Sequence, residues 1–534
     1  MIDSISPRLR LALLAFGAAL LVVGVVASTL LVRAGREVRK EDVARRLLRN
    51  SAFPLLIQLV VRAIDFGFIQ VFYHLLVKDA AGEYELAALL VTLYLGTISE
   101  WGLGILLTRE LARDRGAIRG TFGTALLLRL GLAVAALPIA LLIVGMYQGL
   151  AATDVISYGI SGRGALLVLI LALTLLPGAI SSAVTSAFLA TERPVAPALA
   201  NLLNNVLSTL LRLLAMVLGF GVVGVAWAAL AATIANVGVF GWLLRRYFGW
   251  PGWHWDGDVA RSMLRAAFPL MLNSLLVVVF FRFDSFIIQM FHGPTAVAEY
   301  HVAYKVPPIA LILPPIVVNA LFPRFARQAL DDRAGLLRGY QLTLRVLLII
   351  ALPLAATVSV FATIVVGFIA GGEQYGAETG RALAILVWFI PMSYVNGIAQ
   401  YVLIALDRQG TITRAFALTA VFNLGVNFLL VPRWGIAAAA LTTVASELVL
   451  YLPLRRVLRA ELGSAPLVAL LWRPGLAVAA SLLVMVALRA APGLAVAGGT
   501  LLYGIILWLS GTVTADDRLL IRRLLRRSSD EGIR

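Results

Sequence analysis

The chain has 534 residues, of which 61% are hydrophobic and 14% charged. Soluble domains carry roughly 25% charged residues, so there is too little charge here to cover a water-facing surface. The net charge of +17 does not point to nucleic acid, because no basic stripe with interleaved aromatics lies outside the apolar runs. The absence of cysteine removes disulfides, thiolate metal sites and cysteine nucleophiles.

Runs able to cross a bilayer core of about 30 Å are predicted from the N-terminus onward. The first, 11–32, is longer than the ~7–15-residue apolar stretch of a signal peptide. It is followed by Arg33, Arg36, Arg39 and Lys40, and reads as a retained helix. Next come 52–76 with Arg62 and Asp65, 84–108 with Glu100, 121–147 with Arg129, 164–189, 197–219 with Arg212, and 222–244. Then follow 266–290 with Arg282 and Asp284, 301–322 with Lys305 and four prolines (Pro307, Pro308, Pro314, Pro315), 343–369, 382–405, 415–431 and 436–453. A final pair, 474–488 and 494–513, brings the total to about fifteen helices. Placing the 33–49 loop in the cytoplasm and alternating puts most arginines in cytoplasmic segments, including Arg109, Arg113, Arg245, Arg246, Arg324, Arg327, Arg455 and Arg456. The positive-inside rule then predicts an outer N-terminus and a cytoplasmic C-terminus.

Three pairs of segments match in order. Ala52-Phe53-Pro54-Leu55 recurs as Ala267-Phe268-Pro269-Leu270, the Asp65–Phe72 stretch as Asp284–Phe291, and Glu83-Tyr84 as Glu299-Tyr300, at offsets of 215, 219 and 216. Each period holds six spans, so both halves enter the membrane in the same direction, as parallel repeats. The expected fold is therefore an all-α integral membrane protein: two parallel six-helix bundles, a C-terminal helix pair and one extra N-terminal helix. The predicted boundaries are 1–45 for the extra helix and its basic linker, 46–255 and 256–462 for the two lobes, and 463–534 for the C-terminal pair and basic tail.

Several short motifs fall in a familiar order. These are Gly82-Glu83-Tyr84, Glu100-Trp101-Gly102, Arg109-Glu110-Leu111-Ala112-Arg113, Phe188-Leu189-Ala190-Thr191-Glu192-Arg193, Leu321-Phe322-Pro323-Arg324, Gly371-Gly372-Glu373-Gln374-Tyr375, and Asn423 and Asn427 ahead of Pro432-Arg433-Trp434-Gly435. Together they resemble the Wzx-type polysaccharide flippases of the multidrug/oligosaccharidyl-lipid/polysaccharide (MOP) superfamily, over about 46–515. The resemblance implies two six-helix bundles facing a central cavity, alternating access, and cationic side chains in that cavity. The 11–32 helix departs from that family's common fourteen-helix plan.

Charges inside spans are costly, by about 3 kcal/mol or more each, and usually face a cavity or a partner. Arg62, Arg282, Arg129, Arg212 and Lys305 form the expected cationic site for a diphosphate head group, since arginine forks match phosphate oxygens. The plain alternative for Arg62 is an ion pair with Asp65 three residues on, and Lys305 could instead snorkel to the interface. Asp65, Asp284 and Glu100 are the candidates for proton or sodium coupling; for Glu100 the alternative is a hydrogen bond across helices that fixes packing. The intramembrane asparagines offer sugar contacts or, more commonly, interhelical hydrogen bonds. Asp256-Gly257-Asp258 resembles a metal-binding acid pair but reads as a solvated loop. No catalytic residue, metal site or cofactor is expected.

Partners follow from the same reading: a lipid-linked saccharide, membrane lipids, and the polymerase or export machinery of a polysaccharide pathway. The expected activity is translocation of a polyprenyl-diphosphate-linked oligosaccharide across the cytoplasmic membrane. A cation-coupled multidrug exporter of the same superfamily is the alternative. A membrane-embedded glycosyltransferase or polymerase is a third, disfavoured because the longest internal outer loop, about 148–163, carries only Asp154 and Arg163 as charges.

Overall fold

A computed structural model describes residues 7–34, 43–113, 121–250, 254–371, 374–463 and 467–512. Arg36, Arg39, Lys40, Arg115, Arg119, Trp253, Gly372, Glu373 and the basic tail beyond 512 lie outside the described residues. The described chain is almost entirely helical. Contacts divide it into two compact units, residues 1–299 with 369–374, and 300–368 with 375–534.

The first unit holds α1 (Pro7–Ala34), α2 (Val43–Leu75), α3 (Lys78–Ala88), a π-helical turn (Leu89–Leu95), α4 (Gly96–Glu100), α5 (Leu103–Arg113), α6 (Thr121–Ala152), α7 (Gly162–Leu173), α8 (Leu175–Ala190), α9 (Val195–Val217), α10 (Gly221–Phe248), α11 (Gly257–Arg282) and most of α12 (Asp284–Ala303). The helix beyond the expected plan, α1, packs chiefly on α9. Its stripe of Leu20, Ala27 and Leu31 is buried, while Leu21, Val22, Val25 and Val26 are exposed. A helix apolar on all sides with one buried stripe presents its other faces to lipid. Phe16 closes α1 onto α2: a Cβ at Gly67 would lie 2.6 Å from its ring. Asp256 is not a free loop residue as expected; it caps α11, accepting from the Asp258 and Val259 amides at 2.9 and 3.0 Å, because a short carboxylate can satisfy the orphan donors of a first turn.

The second unit holds the end of α12, α13 (Pro307–Ala310), α14 (Leu313–Asp331), α15 (Arg333–Val360), most of α16 (Ala362–Ala370), α17 (Ala377–Leu386), α18 (Phe389–Ala405), α19 (Gln409–Leu462), α20 (Leu467–Ala487) and α21 (Pro492–Leu509). The C-terminal pair α20–α21 docks on α15 through Leu352, Ala356, Ala477, Val478, Tyr503 and Leu507, and Tyr503 donates to the Ile349 carbonyl at 3.0 Å. Within the pair, a Cβ at Gly499 would lie 2.6 Å from Met485. Gly499→Leu is expected to separate the two helices and lower the thermal midpoint in detergent, since overpacking costs about 1–3 kcal/mol; an unchanged midpoint would show that the pair does not need this close contact.

Twelve helical runs among the described residues are long and apolar enough to span a membrane, with Ala15–Leu31 as a shorter one. Two of the twelve are too long for one crossing. In α19 of 54 residues, Gly435 is non-helical at φ 58°. Asn423 Nδ2 donates to Ser446 Oγ at 3.0 Å, although 23 residues of straight helix would hold them ~35 Å apart at ~1.5 Å per residue. The chain therefore folds back at Gly435 and crosses twice. The 75-residue run Gly257–Asp331 is broken at Gly293 (φ 77°) and again over 304–306 and 311–312, and at that length also holds two crossings. Among the described residues there are thus twelve spanning runs and one shorter apolar helix where hydropathy reads fifteen spans, and the difference lies in the two long runs that are broken at Gly293 and Gly435.

The matched segments break at the same register. Val77 is extended six residues before Glu83, and Gly293 leaves the helical conformation, at φ 77°, six residues before Glu299. Beyond each Glu-Tyr pair the α-helix lapses again, into the π turn Leu89–Leu95 and into the turn at 304–306. Prolines at 307 and 308 remove backbone donors there and end the helix, so the 301–322 span is built in pieces.

Candidate functional site

Arg62 sits within the apolar length of α2. Its side chain is exposed, and no hydrogen bond or ion pair to it is found among the described residues. The local pair with Asp65 does not form. Asp65 instead accepts from Asn205 Nδ2 at 2.8 Å, a bond between α2 and α9. Asn205, Ser208 and Arg212 follow the 3–4 spacing of one helix face. Arg212 Nε donates to Ser208 Oγ at 2.9 Å, its guanidinium stands 4.7 Å from the Phe68 ring centroid, and it lies beside Tyr84. Arg212 is thus held against the aromatic residues of α2 and α3, a cation–π arrangement.

Arg129 is buried, at 1% exposure. Its Nη1 donates to Ser182 Oγ at 2.9 Å, while Nε and Nη2 find no acceptor among the described residues. Glu100 reaches toward it across Gly104, where a Cβ would lie 2.5 Å from Glu100 Oε1 and 3.3 Å from Arg129 Nη2. The chain leaves α4 through Trp101 (φ 49°) and Gly102 (φ 70°). The Trp101 indole donates to the Leu264 carbonyl at 3.1 Å, and a Cβ at Gly102 would lie 2.8 Å from Leu270 Cβ. The glycine of the Glu100-Trp101-Gly102 motif is therefore where α11 crosses the chain.

Arg282 ends α11 and Asp284 opens α12, on either side of Phe283. Asp284 is buried at 1% exposure, its Oδ1 accepts the Ser285 amide at 2.7 Å, and both charges act on Tyr94. The repeat-matched acids thus occupy different settings: Asp65 inside a continuous helix, Asp284 at a break. The four additional residues between Pro269 and Asp284 are accommodated by ending α11 before the acid. Lys305, in the second unit, lies in the turn between α12 and α13, and its amide donates to the Val302 carbonyl at 3.2 Å.

A charged rim that the sequence reading does not single out closes one end of the first unit. Arg163 donates through Nε to Glu83 and through Nη2 to Asp79 at 2.9 Å, and Ser161 Oγ donates to Glu83 Oε1 at 2.6 Å. Lys78 pairs with Glu299 at 2.5 Å, so the two repeat-matched acids, Glu83 and Glu299, each hold a cation. Ser157 and Tyr158 amides dock on the Met290 carbonyl at 2.9 and 3.0 Å. Behind the rim is a cavity of about 420 Å³ whose lining includes Glu83, Leu90, Tyr158, Ser161 and Gln289. The Lys78–Glu299 pair is partly shielded, at 24% and 16% side-chain exposure. Lys78→Ala and Glu299→Ala are expected to be non-additive by about 0.5–3 kcal/mol in a double-mutant cycle of thermal stability; strict additivity would show that the pair makes no contribution.

In the second unit the asparagines make interhelical bonds. Asn423 donates to Ser446 Oγ at 3.0 Å and Asn427 to Asn423 Oδ1 at 2.9 Å. Asn396 Nδ2 donates to Glu447 Oε2 at 2.6 Å and to the Glu447 carbonyl at 2.8 Å. Sequence reasoning passes over Glu447, although a lone carboxylate inside the 436–453 span is the signal that selects the other intramembrane charges.

An all-α bundle of broken helices with buried charges, and with ends held by ion pairs, is the architecture of a membrane transporter. The fold is that of the MOP superfamily. It matches the lipid II flippase MurJ in its inward closed conformation with a TM-score of 0.66 at 13% identity, covering 86% of this chain and 99% of that one. It also matches an inward-facing multidrug resistance MATE family transporter with a TM-score of 0.56 at 16% identity, covering 76% and 98%. The profile of the polysaccharide biosynthesis protein family fits residues 47–328, and the MatE profile fits 269–429. An uncharacterized membrane protein of Methanocaldococcus jannaschii is 28% identical over 171 residues, which is 32% of this chain and a third (33%) of that relative's length. With more than half its length matched, the chain belongs to the polysaccharide biosynthesis protein family.

Proposed function

We propose that this transporter moves a polyprenyl-diphosphate-linked oligosaccharide across the cytoplasmic membrane by alternating access, for assembly of a cell-surface polysaccharide. The reading rests on one observation above others: Arg62 presents an exposed guanidinium in a membrane-spanning helix with no protein partner among the described residues. Such a charge is costly in the apolar core unless it meets water or an anion, and a diphosphate supplies the planar oxygen set that a guanidinium fork matches. Arg282, at the α11–α12 break, is the second head-group ligand in this reading, with Arg129, Arg212 and Lys305 as further cationic positions. Asp65, Asp284 and Glu100 are the acids assigned to ion coupling. Membership of the polysaccharide biosynthesis family and a fold shared with a lipid II flippase support the substrate class.

The second reading is a cation-coupled drug exporter, favoured by the MatE profile over 269–429. Cationic drugs are repelled by the arginine set, which weighs against it. Depleting the protein and extracting membrane lipids decides between the two. A lipid-linked saccharide that accumulates on the cytoplasmic leaflet is the expected result. No accumulation, together with new drug sensitivity, would replace the flippase by the exporter.

A further inference from the structure

The second unit contains a buried carboxyl that none of the assignments above uses. Glu447 stands near the middle of the second crossing of α19, at 1% exposure. Its carboxyl accepts from Asn396 Nδ2 of α18, and Ser393 of the same helix lies beside it. Several charged and titratable groups on the elements around it are engaged elsewhere. On α18, Tyr394 donates to the Ala310 carbonyl at 2.6 Å. Tyr340 of α15 and Tyr451 of α19 lie beside one another. On α17, Glu378 and Arg381 pair with one another and are exposed. Tyr300 of α12 lies 3.5 Å from Thr443 Oγ1. Arg455 lies two turns further along α19. None of these is a partner of Glu447.

Two oxygens of one hydrogen-bonded pair are left bare. Asn396 Nδ2 donates to Glu447 Oε2, yet Asn396 Oδ1 and Glu447 Oε1 are both buried without a donor. An ionised carboxylate there would be a buried charge with no cation beside it among the described residues, bonded to an amide whose oxygen also lacks a donor. Either feature is strongly unfavourable in a low-dielectric interior. A proton on the carboxyl removes the charge and turns one of its oxygens into an O–H donor, which an amide oxygen that lacks a donor can accept.

We propose that Glu447 with Asn396 forms a proton-binding site, loaded in this conformation and emptied as the transporter cycles. The site adds a carboxyl in the second unit to the coupling acids considered above, all of which lie in the first. Protonation of Glu447 stands on the geometry alone, whereas its coupling to movement rests on the flippase reading.

Infrared difference spectra of the full chain in lipid nanodiscs near pH 7 test the first part. A protonated-carboxyl C=O band is expected in the wild type and absent from Glu447→Gln. Asn396→Leu, which removes the amide partner, is expected to keep the band and shift its frequency, and this serves if Glu447→Gln does not fold. Spectra with no such band, a band unchanged by either substitution, or loss of the band on adding sodium at constant pH would overturn the proposal, the last by assigning the site to a metal cation. Coupling is read in proteoliposomes with a fluorescent polyprenyl diphosphate. Its flipping rate should respond to an imposed pH gradient in the wild type and lose that response in Glu447→Gln. A wild type that flips the probe but ignores the gradient overturns the coupling. A wild type that does not flip the probe counts against the substrate assignment and leaves the infrared result standing.

Discussion

Replacing Gly82 with alanine or valine is expected to open the rim of the first unit. A Cβ at this position would fall 1.7 Å from the carbonyl oxygen of Pro294. The obstacle is backbone, so no flexible side chain can turn aside, and Pro294 has its φ fixed by the ring. The α3 and α12 backbones must separate. The Lys78–Glu299 pair spans the same two helices, and Gly293, whose φ of 77° suits glycine, is packed against Tyr158. These contacts should loosen together. The chain has no cysteine, so a single Leu90→Cys reporter in the buried lining of the 420 Å³ cavity reads the opening without background. If the added Cβ costs about 1.4 kcal/mol or more in the closed arrangement, labelling by a water-soluble maleimide should accelerate on the order of tenfold. A labelling rate equal to that of the Gly82 parent would show that the close approach of α3 and α12 does not limit access to the cavity.

Gly82 also shows how a motif legible in sequence acquires its cause only from structure. The Gly82-Glu83-Tyr84 pattern marks the family resemblance, but nothing local explains it. Glycine is needed for Pro294, more than two hundred residues away; Glu83 holds Arg163 across 80 residues, and Tyr84 meets Arg212. Spans were legible because hydropathy is a local property, and a lipid-facing stripe such as Leu21, Val22, Val25 and Val26 of α1 needs only to be apolar. The fold-back at Gly435 is legible in the switch between two apolar runs, although no polar loop separates the two helices. Partnerships were not legible. Helical spacing offers Asp65 to Arg62, and the acid goes to Asn205 on α9 instead, because a side chain on a packed face meets its neighbour helix before its own next turn. The break at Phe283 was also hidden: Asp284 reads as an in-span charge, yet it begins a new helix. Glu447 was legible by type, and only the bare oxygens it shares with Asn396 show why that carboxyl matters.

Arg62→Ala is expected to abolish flipping while the protein inserts and accumulates normally. The two parts of that outcome have separate causes. Insertion should not suffer, since removing a charge from a membrane helix lowers the cost of placing it there, and Arg62 has no protein partner among the described residues to leave stranded. Flipping should suffer because a guanidinium gives a diphosphate two parallel charge-assisted hydrogen bonds, each worth about 1.5–3 kcal/mol, and a loss of about 3 kcal/mol is already more than a hundredfold. Lysine keeps the charge but lacks the fork, so Arg62→Lys should fall between the wild type and alanine. Arg282→Ala is expected to lose transport too. Because Arg282 sits at the α11–α12 break and shares Tyr94 with Asp284, its loss should in addition lower stability, whereas loss of Arg62 should not. The measurement is transport of the lipid-linked saccharide in cells depleted of the wild-type protein, with membrane abundance and thermal midpoint followed in parallel. Full transport in both alanine variants would remove the head-group role from these arginines, and a stability loss in Arg62→Ala equal to that in Arg282→Ala would mean that Arg62 holds the protein together rather than the substrate.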